Sequence, residues 1–448
     1  MAKKLFGTDG IRGRANTFPM TASLALKLGQ AAAQRLDKGE DKKLKVIIGK
    51  DTRLSGYIFE FSLTAGLCSL GADVYLVGPM PTPAIAHLTR SFAADFGIVI
   101  SASHNPAEDN GIKFFDRRGY KLPDSVENEI ESLVFGSDID ASHVAEPGKA
   151  YRIADAIGRY IEFAKGSIGN ASLHGLKVVI DCANGAAYKV APLIFSELGA
   201  EVIAMNKDPD GMNINKECGA VHPERLRQEV LNNTADLGIA LDGDADRVIL
   251  VDEAGNIVDG DYIMAIAAQY MKTKDKLKKN TVVVTVMSNL GLEKSLASMG
   301  IHTERTKVGD RYVIEQMIKG GYSLGGEQSG HIIFGDINST GDGTIAALQI
   351  ANIMKERNVP LSELCKCMVP YPQRIENISV KEKKPIDRLP LLSQEIKKAE
   401  SELGDAGRLL IRYSGTENKL RIMVEAMDLA KVNRLVKSIS DAAREELG

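Results

Sequence analysis

Cysteine is scarce in this 448-residue chain: five residues, Cys68, Cys182, Cys218, Cys365 and Cys367, odd in number and scattered. That excludes a disulfide framework and makes a reducing, cytoplasmic setting the expected one. Cys365 and Cys367 have the wrong spacing for a zinc knuckle or a redox pair, so packing is their expected role. Long apolar runs are also missing. None reaches the ~18–20 residues that a membrane helix needs, so no membrane partner is expected. Near the start, Asp9 and Arg12 come before any signal-peptide core can form. An excess of charge of one sign is absent too, with 56 Lys plus Arg against 59 Asp plus Glu and a net charge of -3. That removes the footprint of a duplex nucleic-acid binder, yet leaves room for a local basic pocket that takes a small anion. No segment is of low complexity.

What is present is the composition of a globular enzyme-sized chain, 44% apolar and 26% charged. At roughly 100–200 residues per domain it divides into two to four domains. One pattern recurs. Leu44-Lys-Val-Ile-Ile-Gly49 reads as a buried strand, followed by a polar loop, a helical stretch and the turn Leu70-Gly-Ala-Asp-Val74 that opens a second strand. Leu176 to Asp181 leads in the same way to Leu198-Gly-Ala-Glu-Val202, and Thr281 to Val286 leads to Met299-Gly-Ile-His302. Copies spaced roughly 105–130 residues apart are domain-sized rather than solenoid units. Strands alternating with helices predict mainly parallel sheets that bind ligands at the carboxyl ends of their strands. The last ~80 residues differ, with two strand patterns, Gly407–Tyr413 and Leu420–Glu425, and a helix from Leu429 to Glu446. The expected fold is therefore three similar α/β domains with mainly parallel mixed sheets, 1–153, 154–254 and 255–368, plus a smaller α+β domain, 369–448.

Five loops carry the chemistry. Ser101-Ala-Ser-His-Asn-Pro106 follows a buried-strand pattern, and Ser103 reads either as a nucleophile or phosphate carrier, or as part of a Ser/Asn turn closed by Pro106. A Ser-His triad is not expected, because adjacent residues on an extended loop point apart. Asp242-Gly-Asp-Ala-Asp-Arg247 sets three carboxylates at alternate positions. Their mutual repulsion calls for a divalent cation with oxygen ligands, and Gly243 and Ala245 let the backbone curl so that the oxygens converge. An EF-hand is excluded because its obligatory Gly position is Arg247. An aspartyl-phosphate enzyme with Asp242 as nucleophile and Asp244 as acid/base is the rival.

Gly325-Gly-Glu-Gln-Ser-Gly-His331 offers a carboxylate, an amide, a hydroxyl and an imidazole, a set that suits the vicinal hydroxyls of a sugar. Arg412-Tyr-Ser-Gly-Thr-Glu-Asn-Lys-Leu-Arg421 combines guanidinium forks, hydroxyls and backbone N–H groups as a phosphate cradle, without the Gly-Lys-Ser/Thr element of a Walker loop. The fifth stretch, Phe6-Gly-Thr-Asp-Gly-Ile-Arg-Gly13, is Gly-rich and carries Arg12. Lys113 follows the Ser103 loop closely enough to reach the same cleft, against the default of surface exposure for a lone lysine.

Taken together and in this order, the five loops resemble those of the α-D-phosphohexomutases over essentially the whole chain. FGTDGIRG, the stretch Thr285 to Gly291, and Gln328 in the third loop resemble the bacterial branch that acts on an amino-sugar phosphate. Asn418 departs from the pattern, since Pro is common there, and a change in loop stiffness is expected. The resemblance implies four domains around a central cleft, each giving one loop.

It further implies that Ser103 is a phosphoserine, and that Asp242, Asp244 and Asp246 hold one Mg²⁺ with a Ser103 phosphate oxygen as a further ligand. Glu327 and Ser329 would bind sugar hydroxyls. Arg12 would join the substrate site, and Arg412, Ser414, Gly415, Thr416, Asn418 and Arg421 would hold the non-reacting phosphate. Arg247 would face the transferring phosphoryl group, with Lys113 and His331 as acid/base or phosphate contacts. The implied reaction interconverts glucosamine 6-phosphate and glucosamine 1-phosphate through a 1,6-bisphosphate, primed by glucosamine or glucose 1,6-bisphosphate. It would feed UDP-N-acetylglucosamine and cell-wall precursor synthesis. Action on glucose or mannose phosphates is the alternative. The partner is a small sugar phosphate rather than nucleic acid, with a homodimer as the assembly considered.

Overall fold

A computed structural model describes residues 5–7, 9–36, 42–136, 139, 141–142, 144, 146–414 and 418–448. The first sheet contains β1 (Ile11–Arg14), β2 (Lys45–Lys50), β3 (Asp73–Pro79), β4 (Phe96–Ile100), β5 (Asp109–Asp116) and β6 (Ala150–Arg152), in the order β1-β5-β4-β2-β3-β6. β4, β2, β3 and β6 run parallel, while β5 returns antiparallel to β4 and pairs with β1. The second sheet contains β7 (Lys177–Asp181), β8 (Glu201–Met205), β9 (Leu237–Leu241), β10 (Val248–Asp252) and β11 (Ile257–Val258). Its order is β11-β10-β9-β7-β8. The third contains β12 (Thr281–Thr285), β13 (His302–Thr306), β14 (Leu324–Gly326) and β15 (Ile332–Phe334), in the order β13-β12-β14-β15.

The three sheets repeat one plan. A central strand (β2, β7, β12) has a parallel neighbour on each side, and one of those neighbours (β4, β9, β14) turns back as an antiparallel hairpin. The central strands are buried over nearly their whole length, as continuous Val/Ile runs require when helices cover both faces. The recurring Gly turn has a backbone cause. Gly71, Gly199 and Gly300 take φ of +84°, +92° and +66° just after a helix, the left-handed stop that glycine supplies most readily.

The C-terminal sheet is wholly antiparallel, with β16 (Gln373–Ser379), β17 (Gly407–Tyr413) and β18 (Lys419–Ala426) in the order β16-β18-β17. The helix Leu429–Leu447 covers it, capped by Asp428 accepting from the N–H groups of Ala430 and Lys431 at 2.9 and 3.2 Å. Val432, Leu435, Val436, Ile439, Ala443 and Leu447 form its buried stripe at helical spacing.

The chain divides into two compact units, Met1–Met287 with Ile301–Cys367, and Ser288–Gly300 with Met368–Gly448. In the second unit the helix Leu290–Ser298 is tied to the C-terminal strands. The Leu290 N–H donates to Glu425 Oε1 at 3.3 Å, Arg408 Nη2 donates to the Ser288 carbonyl at 2.8 Å, and Asn289 exchanges two hydrogen bonds with the Tyr371 backbone. Among the described residues no helix is long and apolar enough to cross a membrane. The five cysteines are free, with Cys182 and Cys218 buried.

Candidate active site

The three loops of the first unit occupy the same place in the repeat. Each is the hairpin connection that leaves the carboxyl end of β4, β9 or β14. Ser103 lies in the first, fully buried and in the left-handed region at φ +53°. Its Oγ donates to Asp242 Oδ2 at 2.6 Å. Because the backbone turns at Ser103, the loop is not extended there. His104 Nδ1 therefore sits 3.3 Å from Ser103 Oγ, which corrects the expectation that neighbouring side chains point apart. Burial, with Arg247 and Arg12 nearby, pushes the His104 imidazole down to about 4.

The second loop places Asp242, Asp244 and Asp246 so that one oxygen from each lies within 4.8 Å of the others, all three residues buried. The curl is made at Ala245, at φ +55°. Gly243 serves clearance instead, since a Cβ there would meet the Ser103 carbonyl oxygen at 2.6 Å. Burial first, then the charges of Asp246 and Asp244, drive the Asp242 carboxyl well above the usual carboxylate range. Burial also opposes ionisation of Asp246, but Lys113, His331 and Arg247 overcome it and hold that carboxyl below the usual range. Asp244 Oδ1 and Asp246 Oδ1 are buried without a hydrogen-bond partner. Buried carboxylate oxygens left without a hydrogen bond, converging from one loop, fit a hard divalent cation.

Lys113, on β5, is not a surface residue: it is 1% exposed. Its Nζ lies 3.0 Å from Asp244, 3.1 Å from Asp9 and 3.7 Å from Asp246. Burial works against its charge, and the carboxylates outweigh that and raise it above the ordinary lysine value. Thr82 Oγ1 donates to the same Asp244 oxygen at 2.7 Å. His331, closing the third loop, accepts from the Gly341 N–H through Nε2 at 3.1 Å, so its neutral form carries the proton on Nδ1, 3.6 Å from Asp246 Oδ2. Burial opposes charging of this ring, and Asp246, Asp310 and Glu327 overcome it and raise it.

A cavity of about 400 Å³ is lined by Arg12, Asp246, Arg247, Asp310, Glu327 and His331, among others. Its size suits a small polar ligand. Glu327 Oε1 accepts from the Gly309 N–H at 3.0 Å, and Ser329 is exposed in the hairpin turn. The Ser103, Lys113, Arg12, Arg247, Glu327, His331 and aspartate groups are thus brought together.

In the second unit, Arg412 and Arg421 are direct partners across β17 and β18. Burial, then the Arg421 charge, lowers Arg412. Ser414 follows β17, with its N–H on the Lys419 carbonyl at 2.8 Å and its own carbonyl accepting from Lys383 Nζ at 2.7 Å. The Asn418 carbonyl accepts from the Val380 N–H at 2.9 Å. Gly415 and Thr416 lie outside the described residues.

Several partners of these residues carry no motif of their own. Asp9 sits inside the Gly-rich stretch noted for Arg12 and pairs with Arg12, Lys113 and Lys121, and Lys121 in turn bridges Asp9 and Asp310. The stretch itself was the available signal for Asp9; nothing local marks Lys121. Arg53 and Asn215, which hold the Ser103 loop, also carry no motif.

The chain matches four family models: Phosphoglucomutase/phosphomannomutase alpha/beta/alpha domain I over residues 3–140, domain II over 158–255, domain III over 259–371 and the C-terminal domain over 376–442. The chain belongs to this family. It is 54% identical to a curated phosphoglucosamine mutase of Syntrophotalea carbinolica, covering 100% of this chain and 99% of the relative, and 55% identical to that of Geobacter metallireducens with the same coverage. Among solved structures, a phosphoglucomutase/phosphomannomutase family protein from Burkholderia thailandensis superposes with a TM-score of 0.81 at 23% identity, covering 100% and 98% of the two chains. The Aspergillus fumigatus N-acetylphosphoglucosamine mutase, solved with GlcNAc-6P and magnesium, gives 0.71 at 18% identity, covering 99% and 96%. Both share the fold.

Proposed function

We propose that this chain interconverts glucosamine 6-phosphate and glucosamine 1-phosphate, with Ser103 as the phosphoryl carrier. The observation that supports this most is the Ser103 hydroxyl on Asp242 at 2.6 Å, beside Asp244 and Asp246 oxygens that are buried without a hydrogen-bond partner. Full-length relatives at 54% and 55% identity bear the name of this activity.

In this reading phosphoserine 103 loses its phosphoryl group to the free hydroxyl of the sugar monophosphate, which releases its proton, and a 1,6-bisphosphate forms. The bisphosphate turns over, and its other phosphate returns to Ser103 as the proton returns to the freed oxygen. Glucosamine or glucose 1,6-bisphosphate primes a dephosphorylated protein. Asp242, Asp244 and Asp246 would hold Mg²⁺, which when bound neutralises charge on the group in transfer. Lys113 orients Asp244 and Asp246 from behind. Arg247, on the cavity wall, meets the phosphoryl oxygens from the other side. Arg12, Glu327 and Ser329 bind the sugar end, the carboxylate accepting from vicinal hydroxyls. Arg412, Ser414, Gly415, Thr416, Asn418 and Arg421 grip the non-reacting phosphate by charge-assisted hydrogen bonds. His331 and Lys113 are the candidates for moving the hydroxyl proton.

A coupled assay across glucosamine, glucose and mannose phosphates, with bisphosphate present, tests the substrate. The highest kcat/KM is expected for glucosamine phosphate. A preference for glucose or mannose phosphates would assign the chain to another branch of the family.

A further inference from the structure

The main chain of Ser103 is held from both sides by one closed ring of buried groups. Asp51, which follows β2, accepts from Ser101 Oγ at 2.6 Å, and Ser101 Oγ accepts in turn from the Ser103 N–H at 2.9 Å. On the other side Arg53 Nε donates to the same Asp51 oxygen at 2.8 Å, and Arg53 Nη2 donates to the Ser103 carbonyl at 3.0 Å. Asp51, Arg53, Ser101 and Ser103 are all fully buried.

Arg53 has no donor to spare. Its second Nη2 hydrogen goes to the Asn105 carbonyl at 2.7 Å, and Nη1 serves the carbonyls of Asp109, at 3.0 Å, and Pro106. The five N–H groups of one guanidinium are thereby used on one carboxylate and four loop carbonyls. Asn215 adds a parallel pair of bonds to the Ser103 and Asn105 carbonyls at 2.8 and 3.0 Å. The left-handed backbone of Ser103 is unfavourable for a residue other than glycine and persists where its surroundings over-determine it.

The two links of this ring that reach Ser103 touch its backbone N–H and carbonyl and leave its Oγ alone. The ring is therefore indifferent to whether Oγ carries a proton or a phosphoryl group. We propose that Arg53, oriented by Asp51 and closed through Ser101, is the positioning residue that keeps Ser103 Oγ aimed at Asp242 in both states of the cycle. This rests on the reading of Ser103 as the phosphoryl carrier. Lysine cannot replace it, because an ammonium brings three donors on a flexible stem and no planar fork.

The test is steady-state kinetics of Arg53→Lys, Ser101→Ala and their combination, with Ser103→Ala as control and bisphosphate present. Arg53→Lys lowers kcat about 100-fold, the size expected of a displacement of about 1 Å at a reacting group. Its KM for the sugar phosphate stays within about two-fold of wild type, because loss of an interaction that only aims the nucleophile falls on kcat. Ser101→Ala lowers kcat in the same direction, and the double variant is no slower than Arg53→Lys alone, since a ring broken once is already open.

Wild-type kcat in Arg53→Lys beside an inactive Ser103→Ala overturns this proposal alone. So does a raised KM with unchanged kcat, or losses that multiply in the double variant. An active Ser103→Ala overturns the phosphoryl-carrier reading and this one with it. Should Arg53→Lys fail to fold, Ser101→Ala carries the test, and wild-type kcat in that variant refutes the ring.

Discussion

Ser103 Oγ donates its proton to a hydrogen bond with Asp242 Oδ2 at 2.6 Å. Phosphorylation of Ser103 removes that proton and adds a charge of about -1.5 to -2. The new charge arrives beside three buried carboxylates, where each like-charge pair costs several kcal/mol at about 4 Å and an effective dielectric constant near 20. A divalent cation relieves this repulsion, so the phosphorylated protein binds Mg²⁺ at least about ten-fold more tightly than the dephosphorylated one. Calorimetric titration of the two forms measures the difference, and equal affinities would count against the shared site.

Lys113 offers a second way to expose the same charge balance. Replacing it with Met removes one buried counter-charge shared by Asp9, Asp244 and Asp246, while Asp9 keeps Arg12 and Lys121 and Asp246 keeps Arg247 and His331. The expected loss is about 3–5 kcal/mol of stability in the presence of a chelator. Added Mg²⁺ restores part of it, because the ion supplies the missing positive charge. Thermal unfolding with and without the cation reads this, and an identical loss in both conditions would speak against a cation among the aspartates.

Arg412 stands opposite Arg421 across an antiparallel pair. Like charges in that position destabilise a sheet by roughly 0.2–1 kcal/mol unless an anion lies between them. Arg412→Ala should therefore leave the ligand-free protein as stable as wild type or slightly more so, while KM for the sugar phosphate rises roughly 10- to 100-fold with loss of a charged hydrogen bond. Unfolding and kinetics on one preparation separate the two effects. A variant both less stable and unchanged in KM would mark the pair as structural.

Asp342 gives a prediction in pH. It caps the helix Gly343–Arg357, accepting from the Ile345 N–H at 3.0 Å and from the Tyr160 hydroxyl at 2.9 Å. Burial, opposed by these donors, raises its carboxyl to about 6. A folded value above the unfolded one, about 3.9, stabilises the protein fully below pH ~4, and that contribution is lost as pH rises through 6. Relative to Asp342→Asn, which keeps an acceptor and cannot titrate, the wild type should lose roughly 2–3 kcal/mol between pH 4 and 7. Thermal unfolding of both proteins across this range decides it. A constant difference between them would show that Asp342 is charged throughout.

Much of this was legible in the residues. The Gly turns stood out because Gly71, Gly199 and Gly300 each stop a helix at positive φ, a backbone need that selects one residue type. The aspartate loop stood out because three carboxylates at alternate positions demand compensation whatever surrounds them. Less visible was anything that depends on distant pairing. Arg53 looks in sequence like a surface charge, and only the folding of the Ser103 loop onto it turns it into a buried clamp. Lys113 was weighed against exposure for the same reason, because its partners Asp9 and Asp244 come from segments 104 residues before and 131 residues after it. The bond from Leu290, at the start of the helix Leu290–Ser298, to Glu425 spans a separation that local pattern does not encode.

Ser103 is the group on which the phosphate is expected to ride. The direct measurement is site localisation by mass spectrometry, after incubating the dephosphorylated protein with glucosamine or glucose 1,6-bisphosphate and Mg²⁺. The predicted result is one phosphate per chain on Ser103, absent in Ser103→Ala. An acyl-phosphate on Asp242, with Ser103 unmodified while turnover proceeds, would contradict it.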